Sequence, residues 1–305
     1  METLKYNLRE LAELYERGVN ITTELKRRAK IAENTVEAIK IAYDFQAGTC
    51  ITEFLRDSRY PRQLAALFAE AIAQHFPQAK SIIDVGCGEL TNSSCLFSKL
   101  GNFDTFYAMD LSLSRLLMGR AFTRQHYVNL PEINVFAGSM DFLPLPDNSI
   151  DLIISSHAVE PNRGREQTII RELARVCRLG FILQEPDYRS ATAEQRARMD
   201  TLGYVNALEP AIEACGLDLA VSPLPIWTNE LNKTSFFLAK KPKAELAATI
   251  NYIDPISKMP LIKDGDLYFS PDRGILYPVV KGVPNFDIST GIICTKYQSM
   301  GQGAS

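Results

Sequence analysis

The stretch Ser81-Ile82-Ile83-Asp84-Val85-Gly86-Cys87-Gly88 constrains this chain more than any other. Its apolar run suits a strand buried on both faces; it ends in an acid beside a turn with two glycines. A second strand pattern, Thr105-Phe106-Tyr107-Ala108-Met109, ends in another acid, Asp110, 26 positions after Asp84. Bare glycine backbone at one strand tip and a carboxylate at the next is the layout of a nucleoside-binding βαβ unit. Glycine lets the main chain approach the ligand, and the acid accepts hydrogen bonds from ribose hydroxyls.

The surrounding pattern supports that unit. Across residues 79–242, strands are expected at 81–86, 105–110, 132–137, 150–156 and 180–185, and helices at 91–100, 112–126, 164–177 and 193–214. Alternation with short connections predicts an α/β protein with a Rossmann-like, doubly wound sheet. Two closing strands, 217–224 and 233–240, have too little chain between them for a crossover, so one of these seven strands is expected to run antiparallel. Residues 1–78 read as an N-terminal helical cap. Leu25, Ala29, Ala32, Val36, Ile39 and Tyr43 form one helical stripe, with Gly48 as its C-terminal cap. A further helix is expected from Pro61 to about His75. Pro242 opens a break, and residues 243–305 read as a small β-rich unit ending in a loose tail, Gly301-Gln302-Gly303-Ala304-Ser305.

Charge narrows the partners. The net charge is −3, whereas binding a phosphate backbone calls for a basic face, so nucleic acid is disfavoured. The basic run Lys26-Arg27-Arg28 reads as the solvated face of a helix. No apolar run reaches the ~18–20 residues of a membrane span, and the first residues lack the apolar core of a signal peptide. The six cysteines are scattered with no C-x-x-C pair, which suits free thiols in a cytoplasmic protein.

Longer motifs carry a family resemblance. Asp84-Val85-Gly86-Cys87-Gly88 resembles motif I of the class I S-adenosylmethionine (SAM)-dependent methyltransferases. Asp110-Leu111-Ser112 stands where that family ends its second strand. The segment from Gly138-Ser139-Met140-Asp141 to Asp147-Asn148-Ser149-Ile150-Asp151-Leu152 resembles its "GDAxxLPFPDNSFDLV" stretch. Ser155-Ser156-His157-Ala158-Val159-Glu160 resembles "SxHVLEH", the run 172–180 resembles "EIARVLRPGG", and Glu185-Pro186-Asp187 matches the end of strand five. The resemblance implies SAM as cofactor and S-adenosylhomocysteine as product. It makes Asp84 a cofactor-binding residue and places Gly86, Cys87 and Gly88 at the cofactor's amino-acid head, Asp110 on its ribose and Leu111, Ser139 and Met140 around its adenine. Ser155 and Ser156 fall near its methionine portion. Tyr43, in a stretch similar to the family's N-terminal "YDxxAxxY" element, would reach the cofactor carboxylate. Two positions depart from the pattern: Leu90 stands for a third glycine, and Ser139 for the usual adenine-binding acid.

The C-terminal unit is similar to the small zinc-ribbon activators of methyltransferases, but Asp254, Ser257, Ser270 and Arg273 stand where that family has four cysteines. Tetrahedral zinc calls for thiolate or imidazole ligands, so no metal is expected. Arg273 would instead pair with Asp254.

Methyl transfer to a hydroxyl or ammonium group needs a proton acceptor. The candidates follow strands four and five: His157 and Glu185 as catalytic groups, with Glu160, Asp187 and Tyr188 around the substrate. His157 leads because its ordinary pKa suits a base near neutrality. The acidic balance and helical cap favour a small-molecule or peptide substrate from biosynthesis over RNA or protein. A SAM-binding subunit without activity is the alternative from another class. Homo-oligomerisation is left open.

Overall fold

The computed structural model describes residues 6–226, 230–243 and 248–297, so the tail expected to be loose lies outside the described residues. Five helices lead the chain: α1 (Leu8–Glu16), α2 (Ile21–Ala29), α3 (Val36–Phe45), α4 (Thr49–Arg56) and α5 (Arg59–His75). The continuous stripe expected across residues 25–43 is broken. Lys30 turns left-handed, φ 56°, and closes α2; Thr35 then caps α3, its Oγ1 accepting the N–H of Ala38 at 3.1 Å. Ala32 therefore sits between helices. Gly48, φ 98°, is the N-cap of α4 and not the end of a long helix.

The main sheet is built from β1 (Ser81–Val85), β2 (Thr105–Asp110), β3 (Ile133–Ala137), β4 (Ile150–Ser156), β5 (Cys177–Pro186), β6 (Asp218–Pro223) and β7 (Thr234–Lys240). Their order is β3-β2-β1-β4-β5-β7-β6. β7 runs antiparallel to both β5 and β6, as the short connection requires. The strands alternate with α6 (Thr91–Phe97), α7 (Leu113–His126), α8 (Glu166–Val176), α9 (Ala193–Leu202) and α10 (Leu208–Glu213). The single helix expected over 193–214 is two, because Gly203, φ 69°, ends α9 and the Val205 amide then binds the Glu160 carbonyl at 2.8 Å.

Period-two alternation sends β1 side chains into two cores. Ile82 joins Phe54, Leu64, Leu96 and Phe122 on the face of α4–α7, while Ile83 and Val85 join Ile169, Leu173 and Ile212 on the face of α8 and α10. Helices α1–α3 bury a smaller cluster around Leu11, Leu25 and Ile41.

A second, antiparallel sheet follows: β8 (Ile262–Asp264), β9 (Leu267–Ser270), β10 (Ile275–Val280), β11 (Val283–Pro284) and β12 (Ile292–Ile293). It docks at the β3 edge, where the Phe286 N–H donates to the Ala137 carbonyl at 2.8 Å and Phe286 packs on Phe136 and Tyr252. Asp254, fully buried here, accepts from the amides of Ile256 (2.8 Å) and Ser257 (2.9 Å), from Arg273 Nη1 (3.2 Å) and from the Tyr277 hydroxyl (3.1 Å). The pairing expected of Asp254 and Arg273 is present.

Candidate active site

The C-terminal tips of β1, β2 and β4 open into a cavity of about 330 Å³, roofed by α3, α4 and the start of α5. Its floor is the turn after β1. A Cβ on Gly86 would stand 2.1 Å from the Ala158 Cβ, and one on Gly88 would stand 2.6 Å from Arg115 Nη2. No other residue fits this turn without displacing its neighbours. Asp110 at the tip of β2 is held by two amides, Gly88 N–H on Oδ2 (2.9 Å) and Ser112 N–H on Oδ1 (2.8 Å). These two bonds fix its orientation.

The cavity brings together ten of the residues expected at the site: Tyr43, Gly86, Cys87, Gly88, Asp110, Leu111, Met140, Ser156, His157 and Glu160. Burial pushes the Tyr43 hydroxyl and the Cys87 thiol upward in pKa, so both stay protonated near neutrality.

The other six lie off the cavity wall. Asp84 is buried beneath the turn and accepts from Ser93 Oγ at 2.6 Å; burial raises its pKa to about 7. Ser139, expected at the adenine edge, instead donates to Asp141 at 3.1 Å, and Asp141 pairs with Arg165. Ser155 donates to the Val85 carbonyl at 2.8 Å and stitches β4 to β1. Glu185, expected to be catalytic, is fully buried. Its carboxylate accepts the N–H groups of Ala158 (3.1 Å), Val159 (2.9 Å) and Glu160 (3.0 Å), so it shapes the loop after β4. Burial raises its pKa to about 8 against the pull of His157 and these amides. Asp187 binds the Ser190 amide and Ser235 Oγ. Tyr188 lines a separate cavity with Arg189 and Arg196.

His157, the expected base, has both ring nitrogens engaged. Nδ1 lies 2.8 Å from Glu160 Oε2, and Nε2 lies 2.9 Å from the Gln184 side-chain nitrogen. The Gln184 amide donates, so Nε2 is the acceptor and Nδ1 carries the proton toward Glu160. Burial opposes protonation of this ring, but the hydrogen bond and charge of Glu160 outweigh it and raise its pKa.

Two charged residues complete the site: Glu89, which the departure from the glycine pattern at Leu90 brings toward the head-group side, and Arg115, which no motif announces. Glu89 is buried; its carboxylate accepts the N–H of Gly48 (3.0 Å) and of Ile51 (2.8 Å), clamping the first turn of α4 over the cavity. Arg115 is buried beside it, its Nε 3.4 Å from Glu89 Oε1, its Nη2 3.0 Å from Cys50 Sγ and its guanidinium 5.5 Å above the Tyr43 ring. The one signal for Arg115 is its place in the first turn of α7, the positive end of the helix dipole, where a cation is unfavourable unless acids surround it. With Glu89, Asp110 and Glu160 set against Arg115, the wall carries an excess of acids.

This donor set suits an adenosyl sulfonium: a bare glycine turn, an anchored acid at the β2 tip, apolar Leu111 and Met140, and acidic walls for a cation. Residues 83–183 match the family described as methyltransferase domain. Among solved structures, magnesium protoporphyrin IX methyltransferase from Synechocystis PCC 6803 with bound S-adenosylhomocysteine aligns at a TM-score of 0.51. Its identity to this chain is 13%, over 66% of this chain and 98% of that one. The form with bound SAM aligns at 0.50, with 14% identity over 69% and 99%. At such identities the likeness is one of fold. The family match over residues 83–183, set in a sheet of order 3-2-1-4-5-7-6 with its cavity at the β1 and β2 tips, shows that the chain carries a methyltransferase domain with the Rossmann-like fold of SAM-dependent methyltransferases.

Proposed function

We propose that the protein transfers a methyl group to a small biosynthetic intermediate, such as a sugar, a peptide natural product or a related metabolite, and that Glu160 receives the acceptor's proton. The observation that carries the substrate class is the roof. Helices α3 and α4 lie over the cavity, and Glu89 fastens the first turn of α4 through two amides. A macromolecular chain would have to displace this roof, whereas a small acceptor passes beneath it.

When bound, SAM supplies an electrophilic methyl on a sulfonium. Asp110 would hold the ribose hydroxyls, Leu111 and Met140 the adenine, and the 86–88 backbone with Arg115 and Tyr43 the amino-acid head. In-line displacement draws much of its rate from holding the partners in line. The roof excludes water and strengthens the pull of the acidic walls. Glu160 borders the cavity, and its second oxygen is oriented by His157 Nδ1. His157 holds this acid in place, with Gln184 on its far nitrogen, and Gln184 in turn lies 3.3 Å from the Tyr60 hydroxyl. The reading assigns residues 1–78 to the cap, 79–242 to the catalytic unit and 243–305 to a zinc-less, ribbon-like unit. It places the protein in the cytoplasm. Among the described residues, no helix is long and apolar enough to cross a membrane.

The test is calorimetry with SAM and S-adenosylhomocysteine, then transfer of labelled methyl from SAM into a cell extract split by size. Label in the small-molecule fraction supports the reading. Label confined to RNA or protein overturns the substrate class, and binding without any transfer points to a non-catalytic subunit.

A further inference from the structure

We infer that the C-terminal unit is a strap that holds the cofactor cavity shut by tying its roof to the β3 side of its wall. The inference rests on the cofactor reading above and adds a conformational role for residues 248–297. Lys40 Nζ of α3 lies 2.6 Å from Asp287 Oδ2, with the acid side chain 10% exposed and the lysine 32%. The adjoining turns of α3 carry Ile39 and Tyr43 onto the cavity wall.

Asp287 is rigidly placed. Its Oδ1 accepts the Ser289 N–H at 3.0 Å, and its own N–H donates to Asn285 Oδ1 at 3.2 Å. Asn285 bridges Ala137 at the end of β3, and Phe286 donates its N–H to the Ala137 carbonyl. Directly after Ala137, Gly138 and Met140 form part of the cavity's adenine side. One short segment, 285–287, thus grips the β3 side of the cavity by main-chain bonds and the roof by an ion pair. A second link works on the same loop. Lys258 Nζ lies 2.6 Å from Glu172 Oε1, which also accepts the Leu143 N–H at 2.7 Å. By linkage, a ligand that binds only the closed cavity strengthens the strap, and the strap strengthens binding by the same factor.

The experiment is a double-mutant cycle in the full chain. Lys40→Met removes the roof charge. Asp287→Asn removes the acid charge and keeps an oxygen for the Ser289 amide. Two quantities are read: SAM affinity by calorimetry, and amide exchange across residues 36–45 without ligand. Each single variant should weaken SAM about three- to tenfold and speed exchange in α3, and the double variant should be no worse than the worse single, the signature of a coupled pair. Additive losses, or unchanged exchange in α3, would overturn the strap. The exchange arm needs no cofactor, so failure of the wild type to bind SAM would sink the functional reading and leave the strap to be judged by exchange alone.

Discussion

Glu160 Oε2 receives the Nδ1 proton of His157 across 2.8 Å, and Gln184 occupies the other ring nitrogen at 2.9 Å. On the reading proposed above, the imidazole, the obvious base in the sequence, orients the carboxylate beside it, and that carboxylate takes the proton of the acceptor. General-base removal typically costs about 10²–10⁴-fold in rate. Glu160→Gln should therefore lower kcat by about 100-fold or more, well beyond the loss of SAM affinity that follows from the missing wall charge. His157→Gln should lose less, because the acid remains. A larger loss for His157→Gln than for Glu160→Gln in steady-state kinetics would return the base to the imidazole.

The same pair fixes a sign for stability against pH. The folded-state pKa of His157 is raised, so its pairing with Glu160 contributes fully below the unfolded value of about 6.5 and is lost as pH rises through the raised value. The deficit of Glu160→Gln against wild type should be greatest near about pH 5.5, reach up to about 1 kcal/mol for this partly exposed pair, and shrink toward about pH 8. Urea unfolding at several pH values measures it, and a deficit that grows with pH would refute the assignment.

Arg115 bears on the cofactor directly. Its guanidinium lies in a wall shared by Asp110, Glu89 and Tyr43, the side that would receive the amino-acid head. SAM and S-adenosylhomocysteine share that head and differ at sulfur. Arg115→Met should thus weaken both equally, by about tenfold, the scale of one charged hydrogen bond. It should also cost the fold up to about 3 kcal/mol by leaving Glu89 buried without its cation. Calorimetry with both ligands separates this from loss of sulfonium binding alone, which would weaken SAM selectively.

Strand tips were legible in the sequence because they obey local rules: an apolar run, an acid, glycines. Asp110, Leu111 and Met140 reach the cavity for that reason. Groups whose role depends on distant partners were not legible. Glu185 stands at a ligand-facing strand end, yet three amides of the loop after β4 consume its carboxylate. Ser139 falls at the adenine edge by its place in the motif, but Asp141 two residues on draws its hydroxyl away. The breaks at Lys30 and Gly203 escaped the periodicity because left-handed caps interrupt a helix without interrupting its apolar spacing. Bonds to a distant loop decided the case of Glu185, and local side-chain or cap geometry decided the others.

Leu90 offers a test of strain against packing. It stands where the family resemblance has glycine, and its φ of 58° is left-handed, yet its side chain is fully buried in the core of α4–α7. The strained backbone costs about 1–2 kcal/mol. Emptying a buried leucine site costs more, about 2–5 kcal/mol. Leu90→Gly should therefore destabilise the protein by about 1–3 kcal/mol in spite of the relieved strain. A stabilised variant in thermal unfolding would show that the leucine contributes little to that core.

Asp254 and Arg273 carry the last prediction. The acid is fully buried, and amides and hydroxyls hold its pKa below the usual carboxylate range against the opposing effect of burial. A depressed pKa contributes stability above the unfolded value of about 3.9 that disappears as pH falls through the folded value. In the zinc ribbons that the sequence of this unit resembles, a metal would stand where Arg273 meets Asp254. If the backbone has kept the two knuckles, four thiolates at 254, 257, 270 and 273 should rebuild a tetrahedral site with ligands about 2.3 Å from the metal. The variant Asp254→Cys, Ser257→Cys, Ser270→Cys, Arg273→Cys should bind one equivalent of zinc by atomic absorption, and a chelator should lower its Tm while leaving that of the wild type unmoved. A quadruple variant that folds, by far-UV circular dichroism, but takes up no zinc would mean that the 254–257 and 270–273 turns no longer face each other in ribbon geometry.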